Sequence, residues 1–207
     1  MNVGILERPL VQGLVWGLVT GDVSLALSVS AVFELFWLDL IPAGTFIPPN
    51  AAASNLAALM LIHFFGFTTP AEAMFPILFS LPLSWFAARL EQFQRYRQNA
   101  AYDALQAQVR LGRDTAYAPA RLVERSILQS GILYFVFFVA SLMGLIVLTG
   151  MLLSNGFLHM QTDALGWGHL WVAASFGPLL SLRSMRAYAL LVAGACCVTV
   201  AAFFGRF

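Results

Sequence analysis

Apolar residues run along this chain in long blocks. They fall at about 9–20, 23–41, 51–67, 73–90, 126–153, 164–182 and 187–205, and each block predicts a helical segment. A helix needs about 20 residues to cross a bilayer. The block 126–153 meets that length with margin, and 187–205 is adequate. The first two blocks are short and meet at Gly21-Asp22. Block 51–67 is also short and follows Pro48-Pro49-Asn50, while 164–182 is interrupted by Gly166, Gly168, Gly177 and Pro178. Short segments broken by Gly and Pro predict discontinuous or re-entrant helices. Irregular backbone at membrane depth persists only where it is buried in protein or lines a cavity. The predicted fold is therefore an all-α integral membrane protein. It has about five to seven spanning or re-entrant segments in a single domain, with helices broken near mid-membrane.

Polar positions cluster where the blocks stop. Residues 89–125 hold seven of the eleven arginines (89, 95, 97, 110, 113, 121 and 125) together with Glu91, Asp103, Asp114 and Glu124. Arginine excess in a short connection places it in the cytoplasm. The spacing of Leu90, Phe93, Ala101 and Leu105 suggests an amphipathic helix. Such a helix could lie on the membrane surface or dock on a partner; a solvated connector is the plainer reading. Arg183 and Arg186 form a second, smaller basic site. It falls on the cytoplasmic side if 126–153 and 164–182 go out and back, which makes 154–163 the outer loop.

Composition narrows the class. The chain has 207 residues, 60% of them hydrophobic and 10% charged, with a mean hydropathy of +0.80. Soluble domains carry about 25% charged residues. The net charge of +1 and the absence of a basic tract argue against nucleic acid as a partner. MNVGILERPLVQGL lacks the basic start and the cleavage site of a signal peptide, so insertion is expected to rely on the mature spans. Cys196 and Cys197 are adjacent in an apolar run and read as small packing residues.

Candidate chemistry centres on FELFWLDLIPAGTFIPPN, residues 33–50, where Glu34 and Asp39 stand among apolar neighbours. A charge at mid-bilayer costs about 2.5–3.5 kcal/mol on insertion scales, so such groups face a cavity or a partner. On a helix over 23–38, Ser30 and Glu34 share a face. Ser24, Ser28 and Asp39 occupy an adjoining sector, and Asp22 adds an acid at the segment's start. Pro42, Gly44, Pro48 and Pro49 break the helix. Asn50 then caps a helix starting at Ala51, whose free N–H groups lie near the carboxylates. Carboxylates beside amide donors suit a neutral polyol such as a sugar. The competing roles are structural: Glu34 paired to another helix, Asp22 as a turn or cap residue, Asn50 as a cap. Ala51, Ser54, Asn55 and Ala58 are small or polar and allow another helix to approach closely. His63, His159 and His169 lack ligand spacing, and no HExxH, CxxC or GxSxG set supports a metal or nucleophile site. Catalytic residues, metal and cofactor are accordingly not expected.

The same residues carry a resemblance. Residues 7–54 resemble the early part of the IIC membrane component of the mannose/fructose/sorbose-type phosphotransferase systems. The matching features are Arg8-Pro9-Leu10, Thr20-Gly21-Asp22, Phe33-Glu34-Leu35 and Pro48-Pro49-Asn50, with SLRSMRAYALL at 181–191 similar to a later element. The chain departs from that pattern in having only MNVGILE before Arg-Pro-Leu, and Pro-Asn where the family has Pro-Asp. The resemblance implies a multi-pass bacterial inner-membrane sugar permease. Such a protein works with a membrane IID subunit and with soluble IIA and IIB phosphocarriers, in homo- and hetero-oligomers. It also implies that the chain carries no phosphohistidine and that Glu34 and Asn50 inherit site roles. The sugar contacts expected are thus Glu34, Asp39 and Asn50, with Asp22 and Ser30 beside them. The alternative is a non-transporting assembly or regulatory membrane subunit derived from such a permease.

Overall fold

The computed structural model describes residues 5–38, 47–110, 119–156 and 165–178, together with 185, 189 and 193. Six helices are defined: α1 (Pro9–Thr20), α2 (Val23–Phe36), α3 (Ala51–Phe65), α4 (Pro70–Arg110), α5 (Pro119–Ser154) and α6 (Trp167–Ser175). Among the described residues there is no strand, as the apolar blocks predict for an all-α chain.

Local chemistry sets the boundaries. Pro9 opens α1, where a missing N–H costs nothing. Gly21 closes it in the left-handed conformation at φ 85°, its N–H donating to the Gly17 carbonyl. Asp22 caps α2 by accepting from the Leu25 N–H at 3.1 Å. The two helices fold back as a tight antiparallel hairpin because α1 offers glycine to α2. A Cβ on Gly13 would lie 2.2 Å from Ser30 Oγ, and one on Gly17 would lie 2.6 Å from Val23 Cα.

Helix α3 runs beside α1 in the same direction, with the Trp16 and His63 rings edge-on at 6.0 Å. Gly66, at φ 68°, turns the chain. Thr69 and Glu72 then form a reciprocal cap for α4. Glu72 accepts from the N–H groups of Thr68 and Thr69 at 3.1 Å each, and Thr69 Oγ1 accepts from the Glu72 N–H. Helix α4 returns along α3. The core lies among α2, α3, the start of α4 and α6, built from Val29, Phe33, Trp37, Ala58, Leu59, Ile62, Ile77 and Ala174. Helix α6 docks on α2 through Trp171, whose indole N–H donates to the Ser28 carbonyl at 3.0 Å.

Two expectations are redrawn. The segment 23–41 stops as a helix at Phe36, with Trp37 as its cap. The apolar block 73–90 and the arginine-rich stretch after it are one helix of 41 residues through Arg110. Nothing between Leu83 and Arg110 is Gly or Pro, and the Ala, Gln, Arg, Glu and Leu that fill it are strong helix formers. The remaining arginine-rich residues, 119–125, open α5.

Helices α4 and α5 are long and apolar enough to cross a membrane. The others are apolar but short. At 1.5 Å per residue, the 12 residues of α1 and 15 of α3 reach about 18 and 22 Å, against a hydrocarbon core of about 30 Å. Asp39, Pro42, Gly44, His159, Arg183, Arg186, Cys196 and Cys197 lie outside the described residues.

Candidate functional site

The starts of α1 and α3 and the middle of α2 converge on one buried amide. Asn55, in the second turn of α3, is fully buried. Its Oδ1 accepts from the Ser30 hydroxyl of α2 at 3.0 Å. Its Nδ2 donates to the Pro9 carbonyl at 3.1 Å and to Gln12 Oε1 at 3.2 Å, both on α1. Every polar atom of the side chain is used, and α1, α2 and α3 are locked in register.

One turn beyond Ser30 on the same face of α2, Glu34 meets the start of α1. Its Oε1 lies 3.0 Å from Arg8 Nη1, and its Oε2 accepts from the Leu10 N–H at 3.4 Å. The carboxylate thus sits where the unpaired N–H groups and partial positive charge of α1 favour an anion. The Glu34 side chain keeps 16% of its surface exposed, so it is neither sealed in the core nor freely solvated.

Asn50 holds the start of α3. Its side-chain oxygen accepts from the Ala53 N–H at 3.0 Å, and its own backbone N–H donates to the Ser84 carbonyl of α4 at 3.0 Å. Beside it opens a cleft of about 230 Å³. Gln12 comes to it from α1, Asn50, Ala52, Ala53 and Leu56 from the start of α3, Ala87 from α4, and Tyr134, Phe137 and Phe138 from α5. The small residues at 52, 53 and 87 leave the space, and the α5 rings bound it.

The predicted site residues therefore separate. Ser30, Glu34 and Asn50 gather around the starts of α1 and α3. Asp22 lies at the opposite end of α2, where it caps that helix. Sequence reasoning missed Gln12, which joins the buried amide to the cleft, and Arg8, which was visible only as part of Arg-Pro-Leu. It also missed Tyr134, Phe137 and Phe138. The available signal was a polar side chain inside an apolar run, as in LVQGLV for Gln12 and ILYFVFF for Tyr134. Asn55 was legible as a small polar position allowing close approach, but its role as the shared hydrogen-bond partner was not. Among the described residues no cluster of His, Cys, Asp and Glu could hold a metal ion.

Comparison with known proteins places this geometry in context. The family model described as PTS (phosphotransferase) system sorbose-specific IIC component matches residues 1–165. That match takes in α1 to α5 and every residue of the cleft. No curated protein matches the chain.

Proposed function

Since the chain belongs to the family of sorbose-specific IIC components of phosphotransferase systems, a membrane-embedded group of sugar-transport subunits, we propose that it binds a hexose-like sugar within the membrane and passes it inward for phosphorylation by partner proteins. The observation that carries this reading is the cleft beside Asn50. It is bounded by amides, small residues and aromatic rings, at the point where helices too short to span the bilayer end. Discontinuous helices that meet at a lined hollow are the usual setting of a transporter's substrate site.

In this reading Asn50 and Glu34 contact the sugar or the water around it, and Asp39, outside the described residues, is a further proposed contact. Ser30 acts through Asn55, which fixes the helices that carry the contacts. Asp22 has the cap role alone. The chain is a multi-pass protein of the bacterial inner membrane and works in an oligomer with a IID-like membrane subunit. Its arginine-rich end, on α4 and the start of α5, faces the cytoplasm, where the phosphocarrier domains IIA and IIB deliver phosphate. The chain supplies the path and its partners the phosphoryl chemistry.

Co-purification with a IID-like subunit, followed by uptake of labelled hexose into vesicles that also contain the phosphocarriers, tests the proposal. Phosphorylated sugar inside the vesicles is the expected result. A stable complex that neither binds nor takes up any hexose would identify the non-transporting subunit instead.

A further inference from the structure

We propose that the exposed side of α4 holds an anionic phospholipid from the leaflet at its arginine-rich end, with the lipid phosphate received by Arg89 and Arg97. The site lies apart from the cleft beside Asn50, and its loss would leave the proposed transport role standing.

Helices α4 and α5 disagree on where the membrane ends. On α4 no charged residue falls between Glu72 and Arg89, and residues 73–88 extend about 24 Å. On α5 none falls from Ser126 to Ser154, and that stretch extends about 43 Å. The register of the two helices follows from their contacts. Ala87 and Phe137 meet at the cleft, while Gln94 and Gln98 both donate to Ser130. The helices are therefore antiparallel, and the first apolar turns of α5 lie beside the part of α4 that has already turned polar. Ile127, Leu128 and Ile132 are more than half exposed there. Apolar side chains so placed draw acyl chains up to their own level. Arg89 is then held at or below the boundary between acyl chains and headgroups, where a guanidinium without a counter-charge is costly.

Helix α4 gathers its cations on one face. Phe86, Arg89, Phe93 and Arg97 follow one another at intervals of three and four, with Tyr96 beside them, so they share a side of the helix. All five are exposed, whereas Gln94 is buried against α5. The nearby acid, Glu91, is taken by Arg95 in a salt bridge. Arg89 and Arg97 have no acidic partner among the described residues. The Arg97 guanidinium lies 5.9 Å from the centre of the Phe93 ring. Its side chain is thus folded back one turn, toward the apolar part of α4 and toward Arg89. Residue 93 is about 6 Å beyond residue 89 along the axis, about the depth of one headgroup layer.

Two unpaired guanidinium groups flanked by apolar side chains fit a ligand that joins a phosphate to a tail. Guanidinium receives phosphate oxygens through charge-assisted hydrogen bonds. Phe86, Phe93 and Tyr96 stand at the level that interfacial aromatic rings occupy. Net charge then decides between headgroups. A zwitterionic lipid brings its own ammonium and leaves the arginine charge uncompensated, whereas an anionic lipid neutralises it. Free phosphate has no tail with which to use the apolar flanks.

The test is native mass spectrometry of the detergent-solubilised full-length chain, titrated with phosphatidylglycerol and with phosphatidylcholine. The first phosphatidylglycerol should bind about tenfold or more tighter than phosphatidylcholine. Arg89→Gln and Arg97→Gln should each reduce that preference about fivefold, and the double variant should lose most of it. Arg89→Lys keeps the charge and should keep most of the preference. Arg110→Gln, about 30 Å beyond Arg89 along α4, should leave it unchanged. Both sites are exposed on a helix, so melting temperatures should match the wild type, and either single variant carries the test if the double variant does not fold. Equal binding of the two lipids by the wild type overturns the assignment. So does a preference that survives loss of both arginines. If the double variant keeps its lipid preference but loses a co-purifying membrane protein, that face belongs to a protein partner and the lipid site is refuted.

Discussion

Arg8 Nη1 lies 3.0 Å from Glu34 Oε1, which joins the residue just before α1 to the last turn of α2. The two are 26 positions apart in sequence. With the Leu10 N–H as a second donor, the carboxylate closes the open end of the hairpin whose other end is Gly21-Asp22. Glu34 thus has a framework partner as well as its proposed contact with the sugar, and substitution can separate those roles.

Glu34→Gln keeps one oxygen, for either Arg8 or Leu10, replaces the other by an NH2 group and loses the charge. Half-exposed ion pairs of this kind contribute about 0–1 kcal/mol. The variant should assemble normally and melt close to the wild type, while its affinity for hexose falls. Arg8→Ala should shift stability by a similarly small amount. Thermal unfolding in detergent, alongside sugar titration of the reconstituted complex, checks both. Normal binding and uptake by Glu34→Gln would make the residue structural.

Asn55→Ala should be among the more damaging single changes in the chain. It strands the Ser30 hydroxyl and the Gln12 amide oxygen and removes a second donor from the Pro9 carbonyl, and each stranded buried group costs about 1–3 kcal/mol. Ser30→Ala removes one donor and should cost less. Yield of folded protein and melting temperature should rank wild type, Ser30→Ala, Asn55→Ala.

Gly13→Ala tests the close approach of α1 to α2. The added methyl would lie 2.7 Å from Ser30 Cβ and 2.9 Å from the Ala26 carbonyl oxygen, contacts that force the helices apart at about 1–3 kcal/mol. Adding Ser30→Gly should recover part of the loss, since it clears the side chain that the methyl meets. Equal melting temperatures for Gly13→Ala and the wild type would show that the hairpin is looser than described.

Ser130 on α5 accepts from Gln94 and Gln98 of α4 and donates to the Ser126 carbonyl at 2.7 Å. Gln94 is buried, and its Oε1 has no hydrogen-bond partner among the described residues. Ser130→Ala leaves two amides without their acceptor and should destabilise the α4–α5 contact by about 1–3 kcal/mol. Gln94→Leu combined with Ser130→Ala replaces both sides by apolar groups and should cost less than Ser130→Ala alone. A chemical denaturation series on the three variants checks the order.

The elements were legible because apolar length and punctuation act locally. Pro9, Gly21, Asp22, Asn50 and Gly66 begin or end helices by chemistry confined to one turn, and the described boundaries follow them. The pairing of helices was less legible, because it depends on contacts far apart in sequence. That Ser30 and Glu34 share a face could be read from their spacing of four. That the face meets Asn55 and Arg8 could not. The arginine-rich stretch misled for a different reason. Its change of composition suggested a new segment, yet helix propensity ignores the change from apolar to charged as long as Gly and Pro are absent. The aromatic side of the cleft stayed hidden because Tyr134, Phe137 and Phe138 belong to an apolar run in which rings are ordinary.

The length of α4 has a mechanical consequence. Its 41 residues extend about 60 Å, twice the depth of a bilayer's hydrocarbon. Between Ser84, whose carbonyl holds the backbone of Asn50, and Arg110 at the tip there is neither proline nor glycine. That stretch is a stiff rod. A load applied among Arg95, Arg97 and Arg110 is felt directly by the anchor of Asn50, so the outer end of the rod and the mouth of the cleft move as one piece.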